Sequence, residues 1–118
     1  MLRGEEPVRF ESEDVLERFR GAPCCEWCGR WIGRAEPHHF YHKRGMGCAS
    51  QLDIPENLVS LCPWCHHAAE NLRPSPNAPA RGPVTKAALL KVVAQREGWR
   101  EEALMQWLNL LGRATARQ

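Results

Sequence analysis

The run Asn57-Leu58-Val59-Ser60-Leu61-Cys62-Pro63-Trp64-Cys65-His66 decides how this chain is read. It returns the chain to a Cys-x-x-Cys knuckle, Cys62 to Cys65, and sets a histidine directly after the last cysteine. A first knuckle, Cys25-Glu26-Trp27-Cys28, stands upstream, and His38-His39 and Asn57 lie between the two. Four thiolates at this spacing suit a closed tetrahedral zinc site, because Zn2+ favours sulfur and nitrogen ligands at about 2.3 and 2.0 Å and needs no open position when its job is structural. The histidines are then left over for chemistry. Cys24 and Cys48 fall outside the paired knuckles. Cys24 competes with Cys25 through an x3 spacing to Cys28, and the tighter Cys25 spacing is favoured.

With 118 residues the chain has the length of one small domain, and residues 23–72 hold every cysteine and histidine. So short a stretch buries little apolar surface by itself, which is the situation in which small domains need a metal or disulfide staple. Three disulfides in a secreted scaffold are the alternative use of six cysteines. The N-terminal residues lack the apolar run of a signal peptide, and no stretch has the length to span a membrane. A cytoplasmic protein with reduced, metal-binding thiols is therefore expected, with no membrane partner.

A net charge of +2 does not by itself announce a nucleic-acid binder. Its distribution is more telling: residues 81–118 carry seven basic against three acidic side chains, whereas residues 23–80 carry five of each. Around the histidine pair, Lys43 and Arg44, with Arg30 and Arg34 nearby, make a local basic surface suited to phosphate. A solvated face is the plainer reading of each residue taken singly.

Four segments follow from the pattern. Residues 1–22 contain a short amphipathic helix, capped by Ser12, with Val15, Leu16 and Phe19 on one face. Residues 23–72 form the metal core. Within it, Arg30 to Arg34 and Glu36 to Tyr41 are expected to pair as a β-hairpin with His38 and His39 on its second strand, followed by a glycine-rich surface loop. A helix is expected from His66 to Leu72, placing His66 and Glu70 at i and i+4 on one face, so Glu70 is a further candidate ligand. Residues 73–83, rich in proline, are expected to be an extended linker. Residues 84–118 form a helical hairpin: Thr85 caps a helix to about Glu97 with Gly98 as its stop, and a second runs from about Arg100 to Leu111. This hairpin is expected to pack on the core or on a second subunit rather than to read DNA.

In order, Cys-x-x-Cys, His38-His39, Asn57 and Cys-x-x-Cys-His66 resemble the HNH endonuclease family. The resemblance covers Cys25 to about Leu72. It implies a small α+β fold, a ββα-metal (His-Me finger) core stapled by a four-cysteine zinc site with flanking helices. The implied activity is metal-dependent hydrolysis of DNA phosphodiester bonds, leaving 5′-phosphate and 3′-hydroxyl ends. Carried over by position, His38 and His66 ligate a catalytic divalent ion such as Mg2+ or Mn2+, His39 is the general base, and Asn57 pins the loop bearing the base. Cys25, Cys28, Cys62 and Cys65 hold structural Zn2+. The stretch His38 to Gly47 also resembles the His-His-Arg-x-x-Arg-Gly-Met-Gly-Gly loop of a phage-associated branch. Phe40 stands where that branch has arginine, and Cys48 where it has the last glycine. That likeness makes Arg44 a candidate phosphate clamp, and phage terminase or other packaging proteins candidate partners, with restriction and mobile-element nucleases equally compatible. The alternative is a non-catalytic zinc-stabilised module that binds nucleic acid. Trp27 and Trp64, at equivalent knuckle positions, are expected to shield the zinc.

Overall fold

Helix α1 (Glu13–Arg20) begins where Ser12 accepts a hydrogen bond from the Val15 amide, with Glu13 and Asp14 in its first turn and Arg18 and Arg20 in its last. Both charge placements complement the helix dipole. The computed structural model describes residues 10–43 and 52–115. Strand β1 (Glu36–His39) pairs antiparallel with β2 (Leu58–Leu61), His38 opposite Val59 and His39 opposite Leu58. The expected hairpin between residues 30–34 and 36–41 does not form. Residues 30–34 use their backbone groups to close the first knuckle instead: Arg30 accepts from the Cys25 amide at 2.9 Å, and the Ile32 amide donates to Pro23 at 2.7 Å. Trp31 makes an isolated bridge with Cys24, on the other side of the knuckle from β1. β1 therefore takes its partner from the far side of the loop.

Every residue of β2 is buried, which fits a strand covered on both faces. Ser60 turns its hydroxyl to the Phe19 carbonyl at the end of α1, 2.8 Å away. Val59 and Leu61 join a cluster with Leu89, Leu90, Val93, Leu104 and Leu108. Helix α2 (Pro63–Glu70) starts earlier than expected, inside the second knuckle. There Cys62 is the N-cap, its sulfur accepting from the Cys65 amide, and Pro63 occupies the first turn, where its missing N–H costs nothing.

Helices α3 (Lys86–Glu97) and α4 (Glu101–Thr115) form the hairpin, with Thr85 accepting from the Ala88 amide and Gly98 in the left-handed region at φ 79°. They do not stand apart. Their buried leucines share one cluster with Cys25, Cys62, Cys65 and Trp27, so the hairpin packs on the core. Arg96 of α3 fastens it there, pairing with Glu26 of the first knuckle at 2.8 Å and donating to the Leu58 carbonyl of β2 at 3.0 Å. Residues 73–83 do not run as an extended linker either. A Pro74–Pro83 bridge, a Val84 amide bonded to the Arg73 carbonyl at 3.0 Å and a 3₁₀ turn at Pro79–Arg81 close them into a loop against the knuckles. The outcome among the described residues is a small α+β fold with one two-stranded antiparallel sheet and four α-helices.

Candidate functional site

The sulfurs of Cys25, Cys28, Cys62 and Cys65 lie within 4.8 Å of one another. Cys28 and Cys62, from different knuckles, stand 3.9 Å apart. Tetrahedral thiolates around an ion at about 2.3 Å would be separated by about 3.8 Å, whereas a disulfide needs about 2.05 Å. This donor set could therefore bind a metal such as zinc. Backbone amides of Trp27 and Cys28 point at the Cys25 sulfur, at 3.4 and 3.5 Å. The loop over residues 73–83 adds side chains: Ser75 Oγ lies 3.0 Å from Cys65 Sγ, and Asn77 Nδ2 donates to Cys62 Sγ at 3.5 Å. Burial pushes the Cys25 and Cys65 thiols up. Against the same burial, donors from Cys65 and Asn77 hold Cys62 below the ordinary thiol value. Held as thiolates, these four sulfurs, three of them buried and that of Cys28 partly so, would call for a cation to offset their charge.

Cys24 is exposed and outside this cluster, which resolves its competition with Cys25. The two knuckle tryptophans part company. Trp27 is buried under the Arg81 guanidinium, 3.8 Å from the ring centroid, while Trp64 is 63% exposed and shields nothing. The cause is α2, whose early start puts Trp64 on the outer side of its first turn.

A second donor set lies where β1 meets α2. Ligand atoms of His38, His66 and Glu70 lie within 4.8 Å of one another. Donors at about 2.1 Å from one ion are at most about 4.2 Å apart, so a small inward movement closes the trio. His66 and Glu70 sit one turn apart, with Nε2 and the carboxylate at 3.4 Å. The other nitrogen of His66, Nδ1, donates to Glu36 at 2.7 Å, leaving Nε2 with the lone pair a metal requires. His38 is buried at 7% exposure, and its pKa is lowered to about 3, first by burial and then by repulsion of its protonated form by His66, Lys43 and His39. It is held neutral and ready to ligate. His67 is exposed on another side of the helix.

His39 follows on β1 and lines a cleft shared with His38, Tyr41, Lys43, Glu70 and Lys86. Its Nε2 lies 2.7 Å from Asp53 Oδ1. Asn57, wholly buried, stitches the chain on either side of the intervening loop. Its carbonyl accepts from the Tyr41 and His42 amides at 3.2 and 3.0 Å, and its amide donates to the His42 and Leu52 carbonyls at 2.7 and 3.2 Å. His42 donates from Nε2 to the Leu108 carbonyl of α4 at 2.9 Å and lies so close to Gly112 that a Cβ there would meet the ring at 2.6 Å. It docks the loop's start on the hairpin.

Asp53, Glu36, Ser75, Asn77 and Lys86 are site residues that the sequence did not single out. Glu36 and Asp53 are separated from their histidines by 30 and 14 positions, so no local spacing marks them. Arg44 lies outside the described residues, as do Gly45, Met46, Gly47 and Cys48. No helix among the described residues is long and apolar enough to cross a membrane. No protein-family model matches the chain, and no curated protein or solved structure does so. The functional reading therefore rests on the site's own chemistry.

Proposed function

We propose that this chain is a metal-dependent DNA endonuclease of the HNH type, with β1, β2 and α2 as its ββα-metal core and structural zinc on the four cysteines. One observation carries the reading. His38 from β1 converges with His66 and Glu70 from α2 on one donor set, while His39 opens on a cleft that His38 and Glu70 also line, without belonging to that set. Two imidazoles and a carboxylate suit a divalent ion with open positions. Such an ion supplies a Lewis acid for phosphate oxygens. His39 takes a proton from the attacking water as the water oxygen bonds to phosphorus, and the bond from phosphorus to the 3′ oxygen breaks with its electron pair. The 3′ oxygen then takes a proton from solvent. Asn57 keeps the loop after β1 in register with β2, which keeps His39 aimed. Lys43 and Lys86 line the cleft and offer positive charge to the phosphates of a DNA strand. A phosphate contact by Arg44, and phage packaging proteins as partners, rest on resemblance alone.

Cleavage of supercoiled plasmid by the zinc-loaded protein with Mg2+, Mn2+ or Ni2+, beside His39→Ala, tests the reading. Expected is nicking or linearisation that depends on the added ion and falls by about 10²-fold or more in the variant, with zinc content unchanged. Binding without cutting under every ion would leave the same zinc core as a binding module, and cutting by His39→Ala at the parent rate would remove the base.

A further inference from the structure

The Asp53 carboxylate is 6% exposed, and both its oxygens are spoken for by different kinds of donor. Oδ1 faces His39 Nε2 at 2.7 Å, and Oδ2 accepts the backbone amide of Ser12, the cap of α1, at 2.8 Å. The segment is held in an unusual shape. Leu52, fully buried, takes φ 54°, a left-handed conformation that strains a non-glycine residue, and its carbonyl is gripped by Asn57 Nδ2 and by the Ile54 amide at 2.8 Å. The Asp53 amide in turn donates to the Phe10 carbonyl at 2.5 Å. Contacts from three directions thus fix a carboxylate whose free end meets one nitrogen of one histidine.

We propose that Asp53 is a positioning residue that selects the tautomer of His39, an inference that rests on the nuclease reading for its catalytic consequence. An ionised carboxylate only accepts, so Nε2 must carry the hydrogen and Nδ1 the lone pair. Nδ1 lies on the other side of the ring from Asp53 and is the atom that takes the proton from water. The imidazolium formed when it does so is stabilised by the adjacent carboxylate. Ser12 makes the arrangement one-directional. In Asp53→Asn, the Ser12 amide can only donate, so it claims the new carbonyl oxygen and turns the NH2 toward His39. An NH2 group can only donate as well, and it forces Nε2 to accept. His39 would then hold its hydrogen on Nδ1, with the lone pair pointing away from substrate.

The test is 15N NMR of histidine-labelled, zinc-loaded full-length protein, recorded at rising pH until the His39 ring is neutral, together with plasmid-cleavage kinetics. The expected result is a protonated Nε2 and bare Nδ1 on His39 in the parent, with the two exchanged in Asp53→Asn. Cleavage should fall by between about 10²- and 10⁴-fold in kcat with little change in KM, zinc content or melting temperature. A parent spectrum with hydrogen on Nδ1 would overturn the proposal without any variant, even if Asp53→Asn proved unable to fold. So would a folded Asp53→Asn that cuts at the parent rate, and in that case the nuclease reading survives. If the parent cuts no DNA under any ion, the nuclease reading fails and the spectra still decide the tautomer.

Discussion

Asn57 is a polar side chain with no exposure, and it stays there because each face of its amide meets a backbone group of matching type. Replacing it with alanine strands the Tyr41 and His42 amides and the His42 carbonyl together, while the Leu52 carbonyl keeps the Ile54 amide. Each buried group left unpaired costs about 1–3 kcal/mol, and water entering the space recovers part of that, so a net loss of about 3 kcal/mol is expected for Asn57→Ala. Urea unfolding of the zinc-loaded protein measures it; a loss below about 1 kcal/mol would mean that the loop ends are held by other contacts. His38 makes a second prediction at this scale. The unfolded chain carries the ordinary histidine value of 6.5 and the folded one about 3, so between those values the unfolded state binds the extra proton. Stability from keeping His38 neutral is complete above pH 6.5 and declines as pH falls, by at most about 1.4 kcal/mol per pH unit, levelling near pH 3. Acid would also release a metal held by the four cysteines, so the comparison is with His38→Gln, which shares those cysteines and lacks the proton. Between pH 7 and 5 the parent should lose stability more steeply than His38→Gln, and equal slopes would contradict the burial effect.

At the scale of elements, the loop over residues 73–83 shows where composition misleads. Prolines exclude a helix or central strand, and from that an extended spacer follows; the chain instead closes on itself and offers Ser75 and Asn77 to the sulfurs of the four-cysteine cluster. Hydroxyl and amide donors to metal-bound sulfur orient the ligand and stabilise its charge, and their loss typically weakens metal sites by about 10–100-fold. Ser75→Ala with Asn77→Ala should therefore surrender zinc to a chelating dye within that range faster than the parent, while circular dichroism before chelation stays the same. Identical release would make the loop a mere neighbour. Helices α1, α3 and α4 were readable because caps, stops and apolar spacing are local, as at Ser12, Thr85 and Gly98. The cysteine cluster and the pair His38 and His66 were readable because ligand chemistry restricts residue type and knuckle spacing. Strand pairing was not: residues 30–34 look as extended as β2 does, and only the hydrogen bonds that close the knuckle decide between them. Asp53 and Glu36 were hidden for the same reason, since their histidines reach them through the fold.

For the whole molecule the question is whether a 50-residue metal core, residues 23–72, can stand without its helical hairpin. The buried face of β2 answers against it. Val59 and Leu61 have no exposure because Leu89, Leu90, Val93, Leu104 and Leu108 cover them along with the cysteines, and Arg96 ties the hairpin to Glu26 and Leu58. Burying a leucine or valine contributes about 1.5–3 kcal/mol, so the hairpin's apolar face amounts to on the order of 10 kcal/mol. A small domain's entire net stability is about 5–15 kcal/mol. Zinc can hold the knuckles together, but it cannot cover the sheet. A chain ending at residue 83 should therefore still take up zinc while losing its cooperative thermal transition and binding a hydrophobic dye, and should cut plasmid poorly because Tyr41 and His42 lose the α4 contacts at Asn109 and Leu108. The decisive comparison is calorimetry of the zinc-loaded full and shortened chains. A shortened chain that melts cooperatively at the parent's temperature would show that the metal core folds by itself and that the hairpin is an appendage.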